Sequence, residues 1–466
     1  MKTHKKYIEA QVNVESFSKE GRGLGKYLRH DDVACPIEIP FAIPGDVVKV
    51  MVLPKRSGIY HSRLLEVIEP SQDRITPKCI HFGVCGGCRF QQISYEKQLE
   101  LKELHIKRCF PDVPFTMLPA VEIWHHRNKM EFSFSSDTAK NYYLGLIIDS
   151  SRGKVVNLSE CHLTNPWYIE TLRAVRQWWK ESTLEAYHPS KNTGALRTLT
   201  LREGKRTGDR MVFLTVSGNP EYALNKKQIE EYVSAVRSVE EEGKKLSIFL
   251  RIHQQIKGKP TQFFDMHLYG PDHITETLLI NDVPLTFTIS PSAFFQPNTL
   301  MAEKLYNKAI EMIGIIEDKV IYDLYCGTGT LGICMAKKAR EVVGIELSAD
   351  AAYDARNNAT LNGLENITIY TGSVEDKLKE IIEDQQHPLP DVVVVDPPRS
   401  GLDPRSLEHL KTLNPPAILY VSCNPVSQAK NIADLALAGY RLTSMVAVDQ
   451  FPHTLHIENI ALLSRL

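Results

Sequence analysis

The sequence predicts a multidomain α/β chain. It has a small OB-type β-barrel at the N-terminus, a central mixed α/β region and a Rossmann-like, doubly wound sheet at the C-terminus. Three observations predict this. Residues 281–466 alternate apolar strands with helical segments in the βα order of a parallel sheet. Residues 1–70 break into short apolar segments separated by Gly21, Gly23, Gly25, Gly45 and Gly58, the spacing of a small all-β unit. A length of 466 residues calls for two or three domains, drawn at 1–70, 71–280 and 281–466.

Within residues 1–70, Tyr7–Val14, Val33–Ile39, Asp46–Leu53 and Leu64–Ile68 read as strands of a barrel of about five. Lys19, Arg22, Lys26, Lys55 and Arg56 are its candidate phosphate contacts; solvated surface charge is the plainer reading of each. Ser94–Cys109 reads as a helix capped by Ser94. His126–Phe134, Gly145–Val156, Ala195–Leu201 and Met211–Val216 read as strands. The C-terminal series begins with strand Val320–Tyr325, a Gly turn and a helix. Strand Glu341–Ile345, helix Ala349–Asn362, strand Thr368–Tyr370, a helix and strand Asp391–Val395 follow. Helix Pro404–Leu413, strand Ala417–Val421, helix Ser427–Leu437 and strands Leu442–Val448 and His456–Leu463 complete it.

Composition narrows the class. The hydrophobic fraction of 43% and charged fraction of 24% are those of a soluble globular protein. No apolar run of about 18 residues predicts a membrane span, and no apolar signal segment follows Met1–Lys6. A cytoplasmic protein with no membrane and no obligate protein partner is expected. The net charge of −1 does not decide for or against nucleic acid, but residues 1–30 carry seven Lys/Arg against three Glu. Nine cysteines are too sparse for a disulfide scaffold, which leaves metal binding or catalysis.

Chemistry concentrates near the C-terminus. Val392–Val395 leads into Asp396-Pro397-Pro398-Arg399, and Ile418–Val421 leads into Ser422-Cys423-Asn424-Pro425. Ligands of open α/β sheets sit at the carboxyl ends of strands, so Cys423 is a candidate nucleophile beside a bound cofactor. Cys326 and Cys334, inside an apolar unit, and Cys35 and Cys109, without useful spacing, read as structural. Asp323–Gly332 contains a G-x-G-x-x-G match that suits two cofactor classes. Asp323 favours S-adenosylmethionine over a dinucleotide, because a carboxylate there opposes a pyrophosphate and tolerates a sulfonium. Glu346, at the end of the next strand, is placed to bind ribose hydroxyls in either class.

Ser290–Asn298, Asp323–Gly329, Asp396–Arg399, Ser422–Pro425 and Asp449–Glu458, taken in order, closely resemble the RumA/TrmA family of RNA uracil-5-methyltransferases. The resemblance covers nearly the whole chain. It implies a class I methyltransferase domain at 281–466 and a TRAM RNA-binding domain at 1–70. It also implies donor-binding roles for Gln296, Tyr325, Glu346 and Asp396. Cys423 becomes the nucleophile, Glu458 the base, and Phe294 a residue that holds the target base. Tyr325 replaces a Phe found in some members. Ser373 stands where related enzymes often carry an acid.

The implied chemistry needs these groups. Uracil C5 is a poor carbon nucleophile until a thiolate adds at C6, and a base must then remove the C5 proton. On its own, Glu458 on a terminal strand reads as a solvent-facing acid. Asp396 is placed to serve either donor or base, and Arg399 to orient the target or pair with an acid. The target must be flipped out, with Phe294 or Phe295 available to stack on a splayed base. Cys79-x5-Cys85-x2-Cys88, followed by Cys161, can hold a [4Fe–4S] cluster or a structural zinc. Residues 79–91 resemble the iron–sulfur segment of the RumA branch, which implies the cluster and 23S rRNA as the acceptor. The T-loop uridine of tRNA is the alternative.

Overall fold

The computed structural model describes residues 8–151, 153–256 and 258–465. Lys2, Lys5 and Lys6 of the N-terminal basic bias, and Tyr7 of the first expected strand, lie outside the described residues. The chain divides into two compact units. The first is Met1–His105 with Ile147–Arg152 and Phe451–Leu455; the second is Ile106–Leu146, Gly153–Gln450 and His456–Leu466.

In the first unit, β1 (Ile8–Phe17), β2 (Gly23–Leu28), β3 (Ala34–Ile39), β4 (Val47–Arg56) and β5 (Ile59–Glu69) close into a barrel of order β1-β2-β3-β5-β4. An antiparallel pairing of β1 with β4 and a parallel pairing of β3 with β5 close it. Val12, Val14, Tyr27, Ile37, Ile39, Val48 and Val50 fill the interior. Burying each aliphatic side chain contributes about 1.5–3 kcal/mol relative to exposure. Of the cations expected to meet phosphates, Lys19, Lys55 and Arg56 are exposed. Lys26 pairs with Glu15 at 3.1 Å, and Arg22 with Asp149 at 3.6 Å. Helix α1 (Tyr95–Cys109) follows Ser94, whose Oγ accepts the Lys97 N–H at 3.3 Å as the cap reading expects.

The second unit opens with β6 (Thr116–Leu118) and a six-stranded sheet. Its strands are β7 (Lys129–Ser136), β8 (Tyr142–Gly145), β9 (Leu196–Glu203), β10 (Arg210–Ser217), β11 (Leu246–Gln254) and β12 (Gln262–Tyr269), in the order β12-β11-β10-β9-β7-β8. The expected strand Gly145–Val156 does not form. β8 ends at Gly145, and Asp149, Ser150, Ser151 and Gly153 (φ 75°) turn the chain instead. Helices α2 (Pro166–Glu181) and α3 (Lys226–Arg237) meet through Trp178 and Tyr232, with ring centroids 5.4 Å apart. A hairpin, β13 (Ile274–Ile280) and β14 (Val283–Ile289), leads to α4 (Thr299–Ile313).

The doubly wound part then runs β15 (Val320–Leu324), α5 (Thr330–Ala336), β16 (Glu341–Glu346), α6 (Ala349–Leu361), β17 (Ile367–Thr371), α7 (Val374–Glu383) and β18 (Val392–Val395). It continues through α8 (Pro404–Leu413), β19 (Ala417–Ser422), α9 (Pro425–Ala436), β20 (Tyr440–Val448) and β21 (Glu458–Arg465). The sheet order is β17-β16-β15-β18-β19-β21-β20-β6. Strands β15 to β19 are parallel, and β21 runs antiparallel between β19 and β20. All four valines of β18 are buried, as befits a strand covered on both faces. The strand order reverses between β15 and β18, the switch point where such sheets bind ligands.

Candidate active site

At one side of the switch point, β15 carries Asp323 one residue before its end. The buried carboxylate accepts the Gly332 N–H at 2.8 Å, and a Cβ at Gly332 would lie 2.8 Å from that oxygen. Glycine is what lets α5 approach so closely. Burial pushes the Asp323 carboxyl up to about 7, with repulsion from Asp396 and Glu346 adding to it. Asp323 therefore braces the turn from within the strand. The turn itself runs through positive φ at Tyr325 (67°), Gly327 (57°) and Gly329 (76°). A non-glycine residue held there is the kind of backbone outlier that gathers at ligand sites.

Tyr325 shares a hydrogen bond with Ser406 Oγ at 2.7 Å. Glu346 ends β16 and accepts the Gly327 N–H at 2.9 Å and the Ser348 N–H at 2.8 Å. Gln296 is buried; its Oε1 accepts from Gln450 Nε2 at 2.8 Å. Its backbone carbonyl accepts from Asn128 Nδ2 at 3.0 Å. Among the described residues the Gln296 Nε2 makes no hydrogen bond, so the amide keeps two donors for a ligand. The Asp323 carboxyl, repelled by Glu346 and Asp396, and a donor amide suit a cationic amino-acid ligand and oppose a pyrophosphate. Ser373 caps α7 by accepting the Asp376 N–H at 3.1 Å.

At the other side, Cys423 follows β19 and is half-buried. Asn424 caps α9 and donates from Nδ2 to the Arg399 carbonyl at 2.8 Å; Ser427 Oγ donates to the same carbonyl at 3.2 Å. The two motif turns are thereby tied together. The Arg399 guanidinium lowers the Cys423 thiol's pKa, and its Nη2 lies 3.4 Å from His456 Nδ1. Glu458 opens β21 and is only 4% exposed. Burial, with Asp396 adding repulsion, pushes its carboxyl well above the usual carboxylate range, against the pull of Arg399. Burial and then Glu458 push the Cys423 thiol up, and Arg399 draws it down. Asp396 is pushed up to about 7 by burial. Cys423, Glu458, Asp396 and Arg399 thus form one coupled group at the carboxyl ends of β18 and β19.

The two phenylalanines separate cleanly. Phe295 is buried against Phe287, with centroids 5.8 Å apart, whereas Phe294 is 61% exposed. The sequence reading did not single out Gln450, Asn424 or Asn128; the first two lie inside motifs it did quote.

Cys35, Cys326 and Cys334 are buried. Cys79, Cys85 and Cys88 belong to the first unit and Cys161 to the second. The Gly87 N–H points to Cys85 Sγ at 3.4 Å. Among the described residues no group of three or more His, Cys, Asp or Glu is gathered as a metal site, so the expected four-thiol cluster is not shown. No helix among the described residues is long and apolar enough to cross a membrane.

Residues 224–466 match the family model described as tRNA (uracil-5-)-methyltransferase. A protein of Protochlamydia amoebophila named as an uncharacterized RNA methyltransferase is 50% identical over 441 residues, 92% of this chain and 100% of its own. A namesake from Caldanaerobacter subterraneus is 34% identical over 460 residues, 97% of this chain and 98% of its own. The crystal structure of the Pyrococcus abyssi tRNA (uracil-54, C5)-methyltransferase in complex with S-adenosyl-L-homocysteine superposes with a TM-score of 0.75. The two are 26% identical, over 97% of this chain and 99% of that one. With the site geometry, these matches make the chain a member of the tRNA (uracil-5-)-methyltransferase family of S-adenosylmethionine-dependent RNA methyltransferases.

Proposed function

We propose that the chain methylates C5 of uridine in 23S rRNA, with Cys423 as nucleophile and Glu458 as base. The observation that supports the uracil chemistry is the group of Cys423, Arg399, Asp396 and Glu458, whose charges act on one another, and the resemblance of residues 79–91 to the iron–sulfur segment of the RumA branch supports rRNA as the acceptor. Gln296, Tyr325, Glu346 and Asp396 hold the methyl donor. When bound, S-adenosylmethionine supplies an electrophilic methyl group.

Cys423 gives up its proton to solvent and its Sγ bonds to C6. The C5=C6 electron pair moves onto C5 and O4, and Arg399 opposes the repulsion that the thiolate meets from Glu458 and Asp396. The activated C5 would take the methyl group as its bond to the donor sulfur breaks, leaving S-adenosylhomocysteine held by Gln296, Tyr325, Glu346 and Asp396. Glu458 then removes the C5 proton, the C5=C6 bond re-forms, and the Cys423 thiolate leaves.

Gln450 orients this site through Gln296. Gln450→Leu leaves Gln296 Oε1 buried without its donor, an error costing about 1–3 kcal/mol. Calorimetric titration with S-adenosylhomocysteine is expected to show roughly tenfold weaker binding, matching about 1.4 kcal/mol. Phe294 stacks on the target base. Because its ring is exposed, Phe294→Ala should leave the melting temperature unchanged and weaken RNA binding by about 1–3 kcal/mol. An unchanged KM for RNA would remove Phe294 from this role.

A second acceptor, the T-loop uridine of tRNA, is favoured by the likeness to the Pyrococcus abyssi enzyme, whose name specifies uracil-54 of tRNA. Mapping 5-methyluridine after reaction with rRNA and tRNA transcripts decides between them; methylation of tRNA alone overturns the rRNA assignment. The functional division proposed is a TRAM RNA-binding barrel at 1–70, a central RNA-binding and iron–sulfur region at 71–280 and the methyltransferase region at 281–466, in a cytoplasmic enzyme. The sequence pattern supports a [4Fe–4S] cluster on Cys79, Cys85, Cys88 and Cys161, since thiolates suit iron–sulfur ligation. No step of the reaction passes through it. Colourless, zinc-containing protein after anaerobic purification would overturn the cluster.

A further inference from the structure

We propose that Lys129 and Arg202, neighbours on β7 and β9, form the floor of a phosphate site that holds the RNA backbone beside the target uridine; this rests on the RNA-methylation reading above. Lys129 pairs directly with Arg202 across the sheet. Strand alternation puts Glu131 and Ser133 on the Lys129 face of β7 and Thr200 and Thr198 on the matching face of β9. In register, Thr215 of β10 and Arg251 of β11 extend that face.

The acids on this face are already engaged. Arg251 holds Asp265 through two hydrogen bonds of 2.7 Å, and Glu131 accepts from Thr200 Oγ1 at 3.3 Å. Lys129 is half-buried, and among the described residues its ammonium has no hydrogen bond or ion pair. Arg202 is 2% exposed; its Nη2 donates to the Ala293 carbonyl at 2.9 Å, while its Nη1 is buried without a partner. Buried charges in folded proteins are normally paired. Burial, then Arg202, push the Lys129 ammonium down to about 8; Arg251 and Arg127 act in the same direction and Glu131 against it. Burial pushes Arg202 down to about 10. Neither the Lys129 ammonium nor the Arg202 Nη1 is thus directly paired with an anion.

Position identifies the anion. The carbonyl that Arg202 holds belongs to the residue before Phe294, whose ring is the exposed aromatic of the active-site loop. A strand whose uridine stacks on Phe294 carries its next phosphates past this loop. Lys129 supplies the reachable donors, the Ser133 and Thr198 hydroxyls line the same face, and Arg202 adds charge from beneath. A phosphodiester at Lys129 meets this charge without reading sequence, and the Ser133 and Thr198 hydroxyls, four residues further along the strands, line the path of the backbone beyond it.

The test is a salt series of binding constants for a labelled, uridine-containing single-stranded RNA. It compares wild type with Lys129→Met, which preserves the stem's packing, and with Lys129→Arg. Losing one phosphate contact should flatten the log Kd against log salt slope by about 0.7–0.9. Lys129→Met should show this loss with S-adenosylhomocysteine binding unchanged, and Lys129→Arg should retain the wild-type slope. Covalent trapping of 5-fluorouridine RNA by the same proteins reports separately on the uracil chemistry. Intact trapping with an unchanged slope in Lys129→Met overturns the phosphate site alone; wild-type protein that neither binds nor traps RNA overturns both.

Discussion

Cys423→Ala will reduce methyl transfer to RNA by on the order of 10⁴-fold or more, the scale seen when a covalent nucleophile is removed. It will also abolish the covalent complex with 5-fluorouridine RNA. Fluorine at C5 cannot leave as a proton, so a wild-type adduct persists and shifts in a denaturing gel. The substitution removes a half-buried thiol at a strand end, so the melting temperature should change little. Trapping by the Cys423→Ala protein would sink the nucleophile assignment. The pH profile sharpens the test. Burial and Glu458 raise the thiol's pKa, so the thiolate fraction falls steeply as pH drops and activity should rise with pH through neutrality. Arg399 lowers that pKa. Arg399→Gln should therefore move the rising limb to higher pH, with partial recovery of rate in alkaline buffer; an unshifted limb would deny Arg399 this role.

The sheet that builds this site was legible because each of its strands is a short apolar run followed by a helical segment with a clear start. Val392–Val395 and Ala417–Ser422 emerge within a residue of their expected bounds. Glu458 was harder to place physically. A strand near the chain terminus suggests an exposed acid, but β21 inserts between β19 and β20, so the last strand in sequence is interior in the sheet. That insertion buries Glu458, and burial raises its carboxyl well above the usual carboxylate range. β6 was invisible because three residues carry no periodicity. Gly145–Val156 looked like a strand through its apolar ends, while the Asp-Ser-Ser-x-Gly between them made a turn. Adjacent Phe294 and Phe295 were indistinguishable by residue type; only the hairpin packing that claims Phe295 leaves Phe294 exposed. The unpartnered cation at Lys129 depends on pairing across strands far apart in sequence, which no local pattern reveals.

Glu458→Gln separates the base from the nucleophile. Addition of Cys423 and methyl transfer precede removal of the C5 proton, so the variant should stall as a covalent adduct of ordinary, unfluorinated RNA that already carries the methyl group. Turnover should fall by about 10²–10⁴-fold, the usual contribution of a positioned base. The adduct is visible as labelled methyl comigrating with protein. Stability should move the other way. The folded-state pKa of Glu458 lies above its unfolded value, so the folded state binds the extra proton between them. Stability contributed by the protonated form is lost as pH rises from the ordinary carboxylate range toward the raised value. Gln cannot ionise, keeps nearly the same shape and escapes that loss, so at neutral pH Glu458→Gln should melt no lower than wild type. A stable variant that accumulates methylated adduct assigns the base. A stable variant that turns over normally transfers the role elsewhere, with Asp396, pushed up to about 7 in the same group, the carboxylate to test next.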